Sequence, residues 1–302
     1  MSRNTGARSD PGRVREGNED RYLVREERGT ALLAVADGVG GASGGEIAAD
    51  AALNELGDRF FLSRAGATVA DGLASAVREA NVAVLSAAGS SGHRDAASTL
   101  VAAVIERDQA VIANLGDSRA YLVREGEIRQ LTEDHAGIVR NAITRFVGDP
   151  RGVQPDVFVE TLRPGDRLLL CSDGLTRHVT EEEIAATVGT RDVQTAANAL
   201  VDLANARGGE DNITVIIHAA APRALMLRPS GRVLALGIFV ALVALVLVGS
   251  VAALLTAGSA APSAVPIVTP SPEPTPSPSP APSPSPTASP SETPSPSPTA
   301  TP

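Results

Sequence analysis

Ala31-Leu32-Leu33-Ala34-Val35-Ala36 runs without a polar side chain straight into Asp37, and Gly38-Val39-Gly40-Gly41 follows at once. A short apolar run closed by a turn signal reads as a buried strand. Such a strand carries Asp37 to the rim of a core, and the glycines beside it let other backbone approach closely. Alone, Asp-Gly after a strand marks a hairpin turn. Here the pattern recurs. Val111-Ile112-Ala113-Asn114-Leu115-Gly116 leads into Asp117, and Arg167-Leu168-Leu169-Leu170-Cys171-Ser172 leads into Asp173-Gly174. Asp211 stands just before Asn212-Ile213-Thr214-Val215-Ile216-Ile217. Four apolar strands, each with an aspartate at one end, predict a shared acidic cluster.

The 302-residue chain is long enough to bury a full core, but its C-terminal quarter has a different character. Residues 233–255 are uncharged and long enough to cross a bilayer, which predicts one transmembrane helix. Arg223, Arg228 and Arg232 form a basic juxtamembrane linker over 223–232, and no basic residue follows the span. The positive-inside rule then puts residues 1–222 in the cytoplasm and the C-terminus outside. Residues 256–302 are rich in Pro, Ser and Thr and predict a disordered extracytoplasmic tail, an extended spacer with no core of its own. A net charge of −9 without a basic block argues against nucleic acid as a partner. The single cysteine, Cys171, excludes an internal disulfide and suits a reducing compartment.

Within 1–222 the apolar spacing predicts strands at 22–24 and 31–36, then helices at 45–61 and 69–87. Further strands follow at 99–106, 109–115, 120–124 and 128–131, a short helix at 138–146, and strands at 157–162 and 167–171. Helices at 181–187 and 193–206 and a strand at 213–218 close the domain. Strands come in hairpins and helices in pairs, so the sheets should be largely antiparallel with helices packed outside.

Carboxylates without His or Cys suit hard cations such as Mn²⁺ or Mg²⁺ rather than zinc. Asp37 bridging two ions, with Asp173 and Asp211 completing one site, would form a two-metal centre that ionises a water near neutral pH. A phosphate monoester is a substrate suited to such a centre. Arg15, in Val14-Arg15-Glu16-Gly17-Asn18-Glu19-Asp20, reads either as a bidentate phosphate ligand or as a surface ion pair.

Asn18-Glu19-Asp20, Asp37-Gly38-Val39-Gly40-Gly41, Gly116-Asp117-Ser118-Arg119, Ser172-Asp173-Gly174-Leu175 and Gly209-Glu210-Asp211-Asn212 stand in an order that resembles the metal-dependent protein serine/threonine phosphatases of the type 2C (PPM) family. The resemblance covers nearly all of residues 5–218 and implies an α+β fold, a four-layer α-β-β-α sandwich of two antiparallel sheets flanked by helix pairs. It implies two Mn²⁺ or Mg²⁺ ions held by Asp37, the Gly38 carbonyl, Asp173 and Asp211, with Glu19 and Asp20 nearby. It also implies a phosphate-binding role for Arg15 and a third, weaker ion at Asp117. The expected activity is hydrolysis of phosphoserine and phosphothreonine on cytoplasmic proteins. With one span behind the domain, the layout resembles the bacterial phosphatases that oppose membrane serine/threonine kinases.

Two departures stand out. Some family members carry a histidine two residues after the bridging aspartate, and here that residue is Val39. Between His135 and Arg140 the chain is short of a flap of about twenty residues, the kind of long excursion that tends to carry function. His135 itself reads as a structural hydrogen-bonder. Cys171 and Arg177 have the spacing of a cysteine-dependent phosphate loop, but Asp173 between them would repel phosphate. A catalytically silent membrane scaffold with the same fold is the remaining alternative.

Overall fold

The computed structural model describes residues 4–40, 44–62, 67–135, 137 and 143–220. In chain order the elements are β1 (Thr5–Asp10), β2 (Asp20–Glu27), β3 (Thr30–Val39), α1 (Gly44–Leu62), α2 (Val69–Ser91), β4 (Ala97–Ser98), β5 (Leu100–Glu106), β6 (Gln109–Leu115), β7 (Arg119–Arg124) and β8 (Glu127–Gln130). They continue with β9 (Asp156–Thr161), β10 (Arg167–Cys171), α3 (Asp173–Thr176), α4 (Glu181–Thr190), α5 (Val193–Ala206) and β11 (Ile213–Ala219).

β3 shows why its sequence is apolar throughout rather than alternating. Ala31, Leu33 and Val35 face a core shared with Leu168, Leu170 and Ile216 of another sheet. Leu32, Ala34 and Ala36 face Leu56, Phe60 and Leu73 of α1 and α2. Successive side chains point to opposite faces, so a strand covered on both sides has no polar position. β10 repeats the pattern: Leu168 and Leu170 enter the inter-sheet core, while Leu169 and Cys171 pack with Leu200 and Val201 of α5.

Two antiparallel sheets result, ordered β1-β11-β10-β7-β8 and β2-β3-β5-β6-β9, with β4 added to the end of β3. The α1–α2 pair covers the second sheet and α3–α5 the first, giving helix, sheet, sheet and helix layers. Two hairpins turn on two residues each: Arg28-Gly29 and Glu125-Gly126 all have positive φ, the geometry that matches strand twist. The outer helices carry strong start signals. Thr180 and Glu183 form a reciprocal capping box at α4, and Asp192 caps α5.

The predicted helix at 138–146 is a correction. Its described part, 143–146, is not helical, and Val147 instead bridges to Ser98 with backbone bonds of 3.0 and 2.8 Å. Apolar spacing suggested helix, but the backbone groups at 147 are taken by the β4 region. β1, β4 and α3 carry no periodic signal and come from tertiary pairing. Among the described residues no helix is long and apolar enough to cross a membrane. The predicted linker, span and tail, 223–302, lie outside the described residues.

Candidate metal centre

The antiparallel register of β2 and β3 sets Asp20 directly opposite Asp37. The Asp37 backbone is fixed at the strand end: its N–H donates to Thr99 Oγ1 at 3.0 Å, and its carbonyl accepts from Thr99 N–H at 2.9 Å and Ser98 Oγ at 3.0 Å. From the other sheet, β10 ends at Cys171 and delivers Asp173 to the first turn of α3, while Asp211 sits just ahead of β11. Ser172 ties the two sheets together. Its Oγ donates to Asp20 Oδ2 at 2.7 Å and accepts from Thr214 N–H at 3.0 Å.

The loop that carries Arg15 is held by Asn212. Its Nδ2 donates to the carbonyls of Pro11 and Gly17, each at 2.9 Å, and its Oδ1 accepts from Glu19 N–H at 2.8 Å. Arg15 then reaches across, donating from Nη2 to Asp211 Oδ2 at 3.0 Å. Ser172 and Asn212 belong to the quoted motifs, yet nothing in their spacing announces these roles. Thr99 and Arg177 likewise act through contacts that only the folded chain makes.

Arg15, Glu19, Asp37, Gly38, Asp117, Asp173 and Asp211 all line one cavity of about 710 Å³, together with Arg177. Asp20 does not line it; the side chain is buried beneath, at 2% exposure, against Ser172. Val39 also lines the cavity, 47% exposed, as does Phe146. Gly38 and Gly45 make the wall possible: a Cβ on Gly38 would lie 2.2 Å from the Gly45 carbonyl oxygen, and one on Gly45 2.6 Å from Gly38 backbone.

The electrostatics are those of carboxylates crowded out of water. Burial, then the charges of Asp20 and Asp173, pushes the Asp37 carboxyl well above the ordinary aspartate range. Burial pushes Asp20 up to about 7 despite the hydrogen bond from Ser172. Burial, then the Asp173 charge, raises Asp117 to about 6, and burial also raises Glu19.

Among the described residues no three His, Cys, Asp or Glu side chains converge closely enough to hold a metal ion as they stand. The carboxylates instead share the cavity with the guanidiniums of Arg15 and Arg177, and they have oxygens to spare. Asp20 Oδ1, Asp117 Oδ1 and Asp173 Oδ1 are buried with no hydrogen-bond partner. Buried carboxylate oxygens are rarely left so, and an all-oxygen donor set with spare negative charge fits ions of the Mg²⁺ or Mn²⁺ type.

Two other sequence features resolve differently. Cys171 is fully buried and its thiol is pushed up to about 12 by burial, so it offers no thiolate, and Arg177 engages Asp173 rather than a phosphate loop. His135 is structural. Its Nδ1 accepts from Gly116 N–H at 3.0 Å, and its Nε2 is 2.8 Å from Asp156 Oδ2, which anchors the turn ahead of Asp117.

The protein phosphatase 2C family pattern matches residues 13–207. The serine/threonine phosphatase stp of Listeria monocytogenes is 36% identical over 234 residues, covering 70% of this chain and 93% of that one. The serine/threonine protein phosphatase PstP of Mycobacterium tuberculosis is 34% identical over 233 residues, 70% of this chain and 44% of that longer relative. A crystal structure of the PstP catalytic domain in complex with two manganese ions superposes with a TM-score of 0.64 at 32% identity, covering 71% of this chain and 96% of that one. With the two-sheet architecture and the aspartate-lined cavity, these matches establish that the chain belongs to the protein phosphatase 2C family of serine/threonine phosphatases.

Proposed function

We propose that the chain hydrolyses phosphoserine and phosphothreonine on cytoplasmic proteins with Mn²⁺ or Mg²⁺, opposing serine/threonine kinases at the membrane. Asp37, Asp173 and Asp211, with the Gly38 backbone, would hold a pair of ions, and Asp117 a third. When bound, the ions supply positive charge to the phosphoryl group and a nucleophilic water at neutral pH. Arg15, half exposed at the cavity mouth, exchanges its bond to Asp211 for a bidentate grip on two phosphate oxygens. Val39 offers no proton to the leaving oxygen, so a bound water or another group would have to supply it. What supports this reading is the meeting of Asp37 from one sheet with Asp173 and Asp211 from the other, under the guanidinium of Arg15. The same reading puts residues 233–255 across the membrane, the phosphatase domain on the cytoplasmic face and the Pro-rich tail outside.

A metal-omission assay tests the chemistry. A phosphothreonine peptide should be turned over with Mn²⁺ and left intact with EDTA. Turnover indifferent to the chelator would overturn the metal-dependent reading, and none under any metal would favour a silent scaffold. Membrane fractionation with protease protection tests the anchor: the tail should be cleaved from outside intact cells and the domain spared.

A further inference from the structure

The two carboxylate oxygens of Asp173 sit in unlike surroundings. Oδ2 accepts two hydrogen bonds from Arg177, from Nε at 2.9 Å and from Nη2, whereas Oδ1 is buried with no donor. The third guanidinium nitrogen, Nη1, lies 3.7 Å from Asp211 Oδ2. One side chain therefore spans the two aspartates that separate strands of the same sheet bring to the cavity, and it lines that cavity itself. An ion pair four residues apart on an exposed helix contributes little and selects no oxygen. Here the arginine side chain is only 34% exposed, occupies a single Asp173 oxygen, and reaches a second aspartate far away in sequence.

We propose that Arg177 is a positioning residue for the cation site. By taking Oδ2 of Asp173 and standing against Asp211, it fixes the angle between the two carboxylates and leaves Asp173 Oδ1 as the group that meets a divalent ion. The inference rests on the metal-dependent reading above. A guanidinium near a cation repels it, so the arginine helps only if the orientation it imposes outweighs its charge. Partners that orient ligating groups commonly change metal affinity by 10–100-fold when removed. The side chain must be arginine for this: an ammonium cannot place two N–H groups on one oxygen and a third toward Asp211.

The test is Mn²⁺ binding to the metal-depleted full chain, followed by isothermal titration calorimetry on the wild type, Arg177→Ala and Arg177→Lys. Arg177→Ala should bind Mn²⁺ about 10–100-fold more weakly, and Arg177→Lys should recover only a small part of the loss. Affinity within about twofold of wild type would reduce Arg177 to a helix ion pair, and tighter binding would make it a competitor of the ion; either overturns the proposal. Full recovery by Arg177→Lys would also overturn it, because charge alone would then suffice. Should circular dichroism show Arg177→Ala unfolded, Arg177→Lys decides: weaker binding supports the proposal and wild-type binding overturns it. A wild-type chain that takes up no Mn²⁺ overturns the metal-dependent reading itself, a failure visible before any variant is made.

Discussion

Asp37 is the residue on which the chemistry turns, because it alone of the cavity aspartates lies within a strand, β3, with its backbone held by Thr99 and Ser98. Asp37→Asn keeps the shape and removes the charge. It should lower kcat/KM for a phosphothreonine peptide by more than about 10²-fold, the scale at which loss of one preorganised electrostatic group acts, with an unchanged circular dichroism spectrum. Arg15→Ala should act on a different constant. A hydrogen bond to a charged group is worth about 1.5–3 kcal/mol, so KM should rise about 10- to 100-fold while Mn²⁺ affinity moves little. Cys171→Ala should keep its turnover, since the buried thiol has no part in the reaction. An inactive but folded Cys171→Ala would revive the cysteine-dependent reading. Asp20 and Glu19 are neighbours in sequence and part company in the fold: Glu19 lines the cavity and Asp20 lies under it. Glu19 still belongs to the loop held by Asn212 while Asp20 opens β2 opposite Asp37, and that start is not marked in Gly17-Asn18-Glu19-Asp20.

Elements differ in how plainly the sequence declares them. β3, β5, β6, β10 and β11 are legible because each is buried on both faces and so reads as an unbroken apolar run. α5 is legible from end to end because its apolar stripe and its Asp192 cap agree. β1 is illegible: Thr5-Gly6-Ala7-Arg8-Ser9-Asp10 is an edge strand specified by its pairing with β11. α3 is a single turn whose only local signal, Asp173, is spoken for by the site. Two substitutions separate element stability from function. Thr180→Ala removes the capping box of α4 and should cost about 1 kcal/mol in urea denaturation without touching turnover. Gly45→Ala puts a methyl 2.6 Å from Gly38 backbone at the start of α1. That contact cannot be relieved by a rotamer change, so the Gly38 turn must move, and activity should fall together with stability.

For the whole molecule, the crowded carboxylates make folding depend on protons when no cation is present. Asp20 at about 7 and Asp117 at about 6 lie above the unfolded aspartate value of about 3.9. The folded state therefore binds more protons over that interval, and its stability falls as pH rises from about 4 through about 7. Glu183, held down at about 2 by its hydrogen bonds from Arg207, pulls the other way only below about pH 4, and His218, lowered by burial, does so below about 6.5, one group against the raised carboxyls of Asp20, Asp37 and Asp117. Thermal melts in EDTA should thus show a higher Tm at about pH 5.5 than at about pH 8, and saturating Mn²⁺ should shrink or reverse the difference, since metal binding favours the deprotonated cluster. A metal-free Tm that rises with pH across this range would contradict the buried cluster. The sequence by itself determined the apolar strands, their hairpin turns and the aspartates that follow them, because two-sided burial and turn chemistry are local demands written residue by residue. Which carboxylates share a cavity, which one is buried beneath it, and which arginine grips Asp173 were decided only by the tertiary structure, since these depend on strand register and on two sheets meeting at one rim.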